Sequence, residues 1–478
     1  MCRKRIFQHP IIEFAKDDSF YFDFEDEKIK AYEGETIASA LYAEGVKEFT
    51  KSKKHERPRG FFCAIGKCSS CLMKVDGIPN VRTCTTLAEE GMKVERTGSK
   101  AEFPKIDVGR GKERYEEDVD VIIIGGGPAG LMAGIIAGRN GADVHLFDQS
   151  DDLGGQLVKQ THQFFGSHEE DAGTRGVKIG EELVEKAEEA GVKIHTEAKV
   201  LGYYPEKKVV IRANERLEIY EGEGIIYAAG ALEDFLAFEN NDLPGVYGAG
   251  GVQTLMNEEG IVPGDKVLMV GSGNVGLIVT YQLLQAGVDV VEVIEALPEI
   301  GGYQVHASKI RRAGVPISTN HTIKKAIGEK SVEGAVIQKI DENWNPIEGT
   351  EKEIECDVIC LAVGLSPDVG FLRQAGCEMD YVPQLGGWVP LRTEEMMTTE
   401  RGIYVAGDAA GIEEATVAAL EGKIAGAAVY EHVKGETEDT VISKKEAQRG
   451  LKQMRKGPYG EAPRQGIKTC TVDEEVCG

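Results

Sequence analysis

Apolar and polar positions alternate at the start of "YFDFEDEKIKAYEGETIASALYAEGV" (21–46), then take the closer spacing of a helix. A period of two marks half-buried strands and a period near 3.6 a helix. The stretch therefore predicts two short strands, a turn at "EGE" and a helix starting near Thr36. "CLMKVDGIPNVRTCTT" (71–86) alternates around "VDGIP", which predicts a hairpin turning at Asp76-Gly77, a pair that tolerates the left-handed conformations of a tight loop. Together these elements suit a small β-grasp domain over 1–96. A polar stretch punctuated by Gly and Pro follows and is expected to be a linker over 97–117.

Two later stretches, "DVDVIIIGGGPAGLMAGIIAGRNGADVHLFDQ" and "DKVLMVGSGNVGLIVTYQLLQAGVDVVEVIE", each read as buried strand, Gly-rich turn, helix and second strand. Gly125, Gly127 and Gly130 in the first answer to Gly271, Gly273 and Gly276 in the second, 146 positions apart. The likeness extends past the glycines: Asp148 and Glu295 are each followed six and seven residues later by a Gly-Gly pair. This is a duplicated βαβ-containing domain. The expected fold is α/β, with two Rossmann-type dinucleotide-binding domains behind the β-grasp domain. The first runs over 118–245 with a return segment at 366–435, and the second lies between them at 246–365. Residues 436–478 are polar, with a basic stretch "SKKEAQRGLKQMRKG", and read as a C-terminal tail or final helix.

The fingerprint works through backbone. Its first glycine permits the tight turn, the second lets the chain approach a pyrophosphate, and the third lets helix pack on strand. Phosphate charge then meets the positive helix N-terminus. Asp148 and Glu295 end the following strands, where an acid bonds a ribose diol. No Lys or Arg in "ALPEIGG" awaits a 2′-phosphate, so the second site favours NAD(H) over NADP(H). A degenerate site with another adenine nucleotide, or none, stays open. In "IYVAGDAAGIEEAT", Gly407 and Asp408 end a strand, where the acid could bond a ribityl chain. The helix beginning near Thr416 would aim its N-terminus at a flavin.

Four of ten cysteines fall in 61–84, spaced C-x4-C-x2-C-x12-C at Cys63, Cys68, Cys71 and Cys84. A single C-x2-C is poor for zinc, whose structural sites usually pair two such knuckles. The x4 gap resembles plant-type ferredoxin spacing, which favours a [2Fe–2S] cluster; zinc and a plain thiol loop are the rivals. Cys356 and Cys360 flank an apolar run and read as buried thiols, while Cys470 and Cys477 offer two ligands at most for a second cluster. The formal charge of −25 argues against nucleic acid. No apolar run approaches the ~18 residues of a membrane span, and "MCRKRIFQHPIIEF" has no signal-peptide apolar core. A cytoplasmic protein is expected. His162, His168 and His306 read as loop histidines, and no catalytic acid or base stands out.

Over 118 to about 435 the chain resembles two-dinucleotide-domain flavoproteins of thioredoxin-reductase-like layout, on "IIIGGGPAG", "DDLGGQ", "IIYAAGALE", "MVGSGNVG", "LAVGLSPD" and "IYVAGDAAG". The resemblance implies FAD on Gly125, Gly127, Gly130, Asp148, Gln156, Val200, Gly230, Gly407, Asp408 and Thr416. It implies a pyridine nucleotide on Gly271, Gly273, Gly276 and Glu295. No cysteine occurs in "DLGGQLVKQTHQFFGS" or "LPGVYGAGGVQTLMNEEG", so the redox dithiol of that family is not expected. "HERPRG" ahead of Cys63 is similar to the ferredoxin-like unit of hydrogen cyanide synthase. It is similar also to α subunits of heteromeric sarcosine oxidases and archaeal dye-linked L-proline dehydrogenases. Sarcosine oxidase α chains lack this cysteine set and extend into a folate-binding region, and hydrogen cyanide synthase keeps its ferredoxin as a separate chain. The resemblance implies an electron-transfer subunit beside a substrate-oxidising flavoprotein, with a small electron carrier as a further partner. A self-sufficient NADH:acceptor reductase and an assembly subunit with structural nucleotide sites are the alternatives.

Overall fold

The computed structural model describes residues 4–14, 16, 18–97, 115–164, 173–205, 207–213 and 216–477. Most of the expected linker, with Cys2 and His168, lies outside the described residues. The chain forms two compact units, residues 1–107 with 233–364 and residues 108–232 with 365–478. The expected α/β class, two Rossmann-type domains with a β-grasp domain ahead of them, is the one adopted.

In the first unit, strand Ser19–Phe24 sits second in a five-stranded mixed sheet and pairs with both Glu27–Tyr32 and Lys93–Arg96. Its alternation works as the sequence predicts: Phe22 and Phe24 are buried while Tyr21 faces out. Thr36 caps helix Ile37–Ala43 by accepting the Ser39 N–H at 3.2 Å, which satisfies one of the free donors of a helix start. Asp76 and Gly77 both take positive φ, 48° and 83°, turning the chain between Leu72–Val75 and Ile78–Arg82.

The same unit contains a five-stranded parallel sheet ordered Val246–Gly248, Val358–Leu361, Lys266–Val270, Asp289–Ile294 and Ile317–Ser318. The β-grasp domain joins it without a gap. The Ile6 N–H donates to the Gly260 carbonyl at 2.7 Å and Val262 to Lys4 at 2.8 Å. Tyr247 donates to the buried Tyr42 hydroxyl at 2.8 Å. Phe62 and Cys63 belong to the same apolar cluster as Val270, Ile294 and Leu361 of the parallel sheet.

The second unit is built on a seven-stranded sheet. Tyr115–Ile124 is central and runs parallel to Val144–Phe147 and Arg216–Tyr227, with Ile403–Val405 beside the latter. Helix Ala415–Lys434 crosses Pro128–Arg139 closely: a Cβ at Gly422 would lie 2.1 Å from the Ala129 carbonyl oxygen, and one at Gly426 2.4 Å from that of Ala133. The polar residues after 436 form two helices, Glu438–Met454 and Glu461–Cys470. Thr437 and Thr440 make a reciprocal cap at the first, and Thr440, Ser443, Ala447 and Leu451 are its buried stripe. No described helix is long and apolar enough to cross a membrane.

Candidate functional site

The cysteine loop leaves strand Pro58–Arg59 and reaches Leu72–Val75, and the fourth thiol returns on the turn Thr83–Thr85. Ala64, Gly66 and Ser69 all take left-handed backbone, with φ of 53°, 72° and 62°. Two of these carry a Cβ, so the loop holds local strain, as functional loops do. Its turns aim backbone N–H groups at sulfur. Cys68 donates to the Cys63 sulfur at 3.4 Å, Ser70 reaches that of Cys68 and Gly66 that of Cys84.

The thiols stand as two pairs. Cys71 and Cys84 sulfurs are 3.2 Å apart, and Cys63 and Cys68 hydrogen-bond in the same way. The bond with Cys63 lowers the Cys68 thiol, and that with Cys84 lowers Cys71. The other member of each pair, Cys63 and Cys84, is raised. Among the described residues no three His, Cys, Asp or Glu side chains converge as on a single metal ion. Two thiol pairs ringed by N–H donors suit two irons with two ligands each better than one tetrahedral zinc.

Both glycine turns have the same shape. Gly125 and Gly271 each take φ 107°, and a Cβ would lie 2.4 Å from the Ala228 oxygen or 2.2 Å from that of Ala362. At Gly130 and Gly276 a Cβ would sit 1.9 Å and 2.2 Å from the carbonyl oxygen of the turn's first glycine. The middle glycines differ: Gly127 meets just the Gly155 Cα, at 3.9 Å, and Gly273 nothing within 4 Å. That open face, at the starts of helices Pro128–Arg139 and Asn274–Gln285, is where a pyrophosphate fits.

The acids are held alike as well. Asp148 accepts the Gly126 N–H at 2.6 Å and the Ser150 N–H at 2.8 Å. Glu295 accepts from the Ser272 N–H at 2.8 Å, the Ser272 hydroxyl at 2.7 Å and the Leu297 N–H at 3.0 Å. Each Gly-Gly pair closes over its turn, Gly154 donating to Gly126 at 2.8 Å and Gly302 to Ser272 at 2.9 Å. Gln156 is exposed on the turn Gly155–Lys159. Val200 lies on strand Lys199–Tyr204, at a bulge opposite Ile211. Gly230 accepts the Asp368 N–H at 3.0 Å.

Gly407 and Asp408 open a short turn ahead of helix Ala415–Lys434, on which Thr416 is the second residue and Glu414 the cap. Burial pushes the Asp408 carboxyl up to about 7, with Glu421 and Glu413 adding repulsion. No local sequence pattern marks either glutamate, or the cation between them. Arg455, capping helix Glu438–Met454, donates to Glu413 at 3.1 and 3.2 Å through Nε and to Glu421 at 2.7 Å through Nη2. Glu421 accepts the Gly407 N–H at 3.1 Å. One guanidinium thus ties the Gly407–Asp408 turn to the start of the helix behind it.

The remaining candidates fall elsewhere. His306 is buried on helix Gln304–Arg312 and is not a loop residue. Burial raises Cys356 to about 12 and Cys377 to about 11. Cys470 is fully buried in a small core with Val382, Leu385 and Val389, its sulfur accepting from Arg392 at 3.2 Å.

Residues 119–422 match the family model described as pyridine nucleotide-disulphide oxidoreductase, and residues 17–99 match a 2Fe-2S iron-sulfur cluster binding domain. An opine oxidase subunit of Rhizobium meliloti (strain 1021) is 26% identical over 389 residues, covering 75% of this chain and 83% of that protein. The alpha subunit of sarcosine oxidase from Corynebacterium sp. (strain U-96) is 25% identical over 399 residues, 78% of this chain but 40% of its own length. The crystal structure of L-proline dehydrogenase from P. horikoshii superposes with a TM-score of 0.71 at 26% identity, covering 93% of this chain and 79% of that one. The expected resemblance to α-type subunits of this kind is borne out. With its paired glycine turns and its cysteine loop, the chain belongs to the pyridine nucleotide-disulphide oxidoreductase family, as an oxidoreductase whose flavin- and nucleotide-binding domains follow a 2Fe-2S domain.

Proposed function

We propose that this chain is the electron-transfer subunit of a heteromeric FAD-dependent dehydrogenase for an amino acid, secondary amine or similar small substrate. A partner flavoprotein would oxidise the substrate. The substrate class is suggested by the names of the relatives, an opine oxidase, a sarcosine oxidase and an L-proline dehydrogenase. The observation that carries the reading is the cysteine loop, packed into the core of the second dinucleotide domain in a chain with no cysteine in 152–167 or 243–260. Such a chain carries a one-electron centre where a disulfide reductase would carry a dithiol.

FAD is assigned to Gly125, Gly127, Gly130, Asp148, Gln156, Val200, Gly230, Gly407, Asp408 and Thr416. NAD(H), or another adenine nucleotide, is assigned to Gly271, Gly273, Gly276 and Glu295. A flavin exchanges either hydride or single electrons, and a two-iron cluster takes one electron. The protein's part is to hold them. Gly127 and Gly273 leave room for pyrophosphate, Asp148 and Glu295 orient ribose, and Asp408 is placed for the ribityl chain. N–H groups at the start of helix Ala415–Lys434 would stabilise negative charge on a bound flavin. The backbone donors around Cys63, Cys68, Cys71 and Cys84 stabilise the charge of the thiolates.

The test is anaerobic mixing of the purified chain with NADH. Slow bleaching of the flavin, with rapid reduction once the co-purified partner and its substrate are present, is the expected result. Rapid bleaching by NADH alone would favour a self-sufficient NADH:acceptor reductase, which the complete geometry of the Glu295 site supports.

A further inference from the structure

One concentration of positive charge in this acidic chain lies beside the cysteine loop. Residues 47–82 hold nine Lys and Arg against three Asp and Glu, in a chain of formal charge −25. Strands Thr50–Lys51 and Pro58–Arg59 form a hairpin tied to the cysteine loop by the Thr50 hydroxyl, which donates to the Ser70 carbonyl at 3.0 Å. Arg57 pins its far side, donating to Asn240 at 2.8 Å and pairing with Asp242 at 2.8 Å. Between these anchors Lys51, Lys53, Lys54 and His55 are exposed.

The cluster-ligand loop is itself most open on this side. Cys63, Cys71 and Cys84 are buried, whereas Cys68 is half-buried between exposed Lys67 and Ser69. Beneath the patch, the buried Nε atoms of Arg59 and Arg82 find no acceptor among the described residues. An acidic protein is repelled by the chain's net charge, so a local basic patch decides where it lands.

We propose that the 50–59 hairpin and Lys67 form the docking face for a small acidic one-electron carrier protein. One electron leaves the reduced cluster, which returns to its oxidised state, and enters the carrier's own redox centre; no proton moves and no bond changes. Exposed lysines around the most open of the four cysteines complement an acidic protein that accepts electrons singly. The proposal rests on the reading of Cys63, Cys68, Cys71 and Cys84 as cluster ligands.

The test is stopped-flow oxidation of the dithionite-reduced full chain by an acidic [2Fe–2S] ferredoxin at rising salt, with basic cytochrome c as counter-probe. In the triple variant Lys51→Glu, Lys53→Glu, Lys54→Glu, the ferredoxin rate constant should fall by about tenfold or more at low salt and lose its salt dependence. The cytochrome c rate should not fall, and the cluster absorbance should be unchanged. A control triple, Arg311→Glu, Arg312→Glu, Lys330→Glu, should keep most of the wild-type ferredoxin rate. An unchanged ferredoxin rate in the first variant with its cluster intact, or an equal loss in both variants, overturns the docking face. A wild-type chain without iron and sulfide overturns the cluster reading beneath it instead.

Discussion

At Gly273 a side chain would meet open space, whereas at Gly276 it would meet the Gly271 carbonyl at 2.2 Å. Two glycines of one motif therefore have separable roles. Gly276→Ala must move backbone and should cost about 2–3 kcal/mol in denaturant unfolding. Gly273 has φ of −65°, which alanine adopts freely, so Gly273→Ala should unfold as the wild type does. It should nonetheless weaken NADH binding about tenfold in calorimetric titration, because its Cβ takes the space of the pyrophosphate. At the cysteines, Cys68→Ser should lose the iron–sulfur absorbance and leave NADH binding at the Glu295 site intact. The shape of the glycine turns was legible in the sequence because it is imposed by backbone geometry at fixed short spacings. Arg455 was not: it stands 42 positions from Glu413 and 34 from Glu421, and no local pattern links them.

Among the elements, helix Glu438–Met454 extends beyond the matched family region, which ends at 422. Through Arg455 it nonetheless reaches the turn that carries Asp408. Arg455→Met strands two half-buried or buried carboxylates, a change that typically costs ~3 kcal/mol. The expected outcome is a rise of about tenfold or more in the FAD dissociation constant measured by fluorescence quenching. Binding of ADP, which has no ribityl end, should be unchanged, and Arg455→Lys should recover part of the loss. The helix existed in the sequence as a basic stretch without an apolar period strong enough to show that it packs.

A second element contact is pH-sensitive. Glu259 accepts the Thr36 N–H at 3.2 Å at the start of helix Ile37–Ala43, and burial pushes its carboxyl up to about 7. A carboxyl raised on folding binds its proton more tightly in the folded state. Stability then falls as pH rises from about 4.5 through about 7. Glu259→Gln should remove that fall, on the order of 2 kcal/mol between pH 4.5 and 8, as read by denaturant unfolding at both pH values.

For the whole molecule, the hairpin at Asp76-Gly77, both glycine turns and the return strand Ile403–Val405 all followed from local pattern. What the pattern could not show was long-range packing. The β-grasp domain shares a core with the second dinucleotide domain through Phe62 and Cys63, contacts made between residues some two hundred positions apart. In the proposed relay the flavin exchanges electron pairs and the cysteine cluster single electrons, both on this one chain. Anaerobic reductive titration of the purified, cofactor-replete chain, followed by absorbance and electron paramagnetic resonance, tests this most directly. The expected result is flavin bleaching together with a [2Fe–2S] signal from the same chain, the signal lost in Cys68→Ser while the flavin still bleaches. A flavin that reduces fully while the cluster stays oxidised at every potential reached, or a chain with no cluster signal at all, would contradict it.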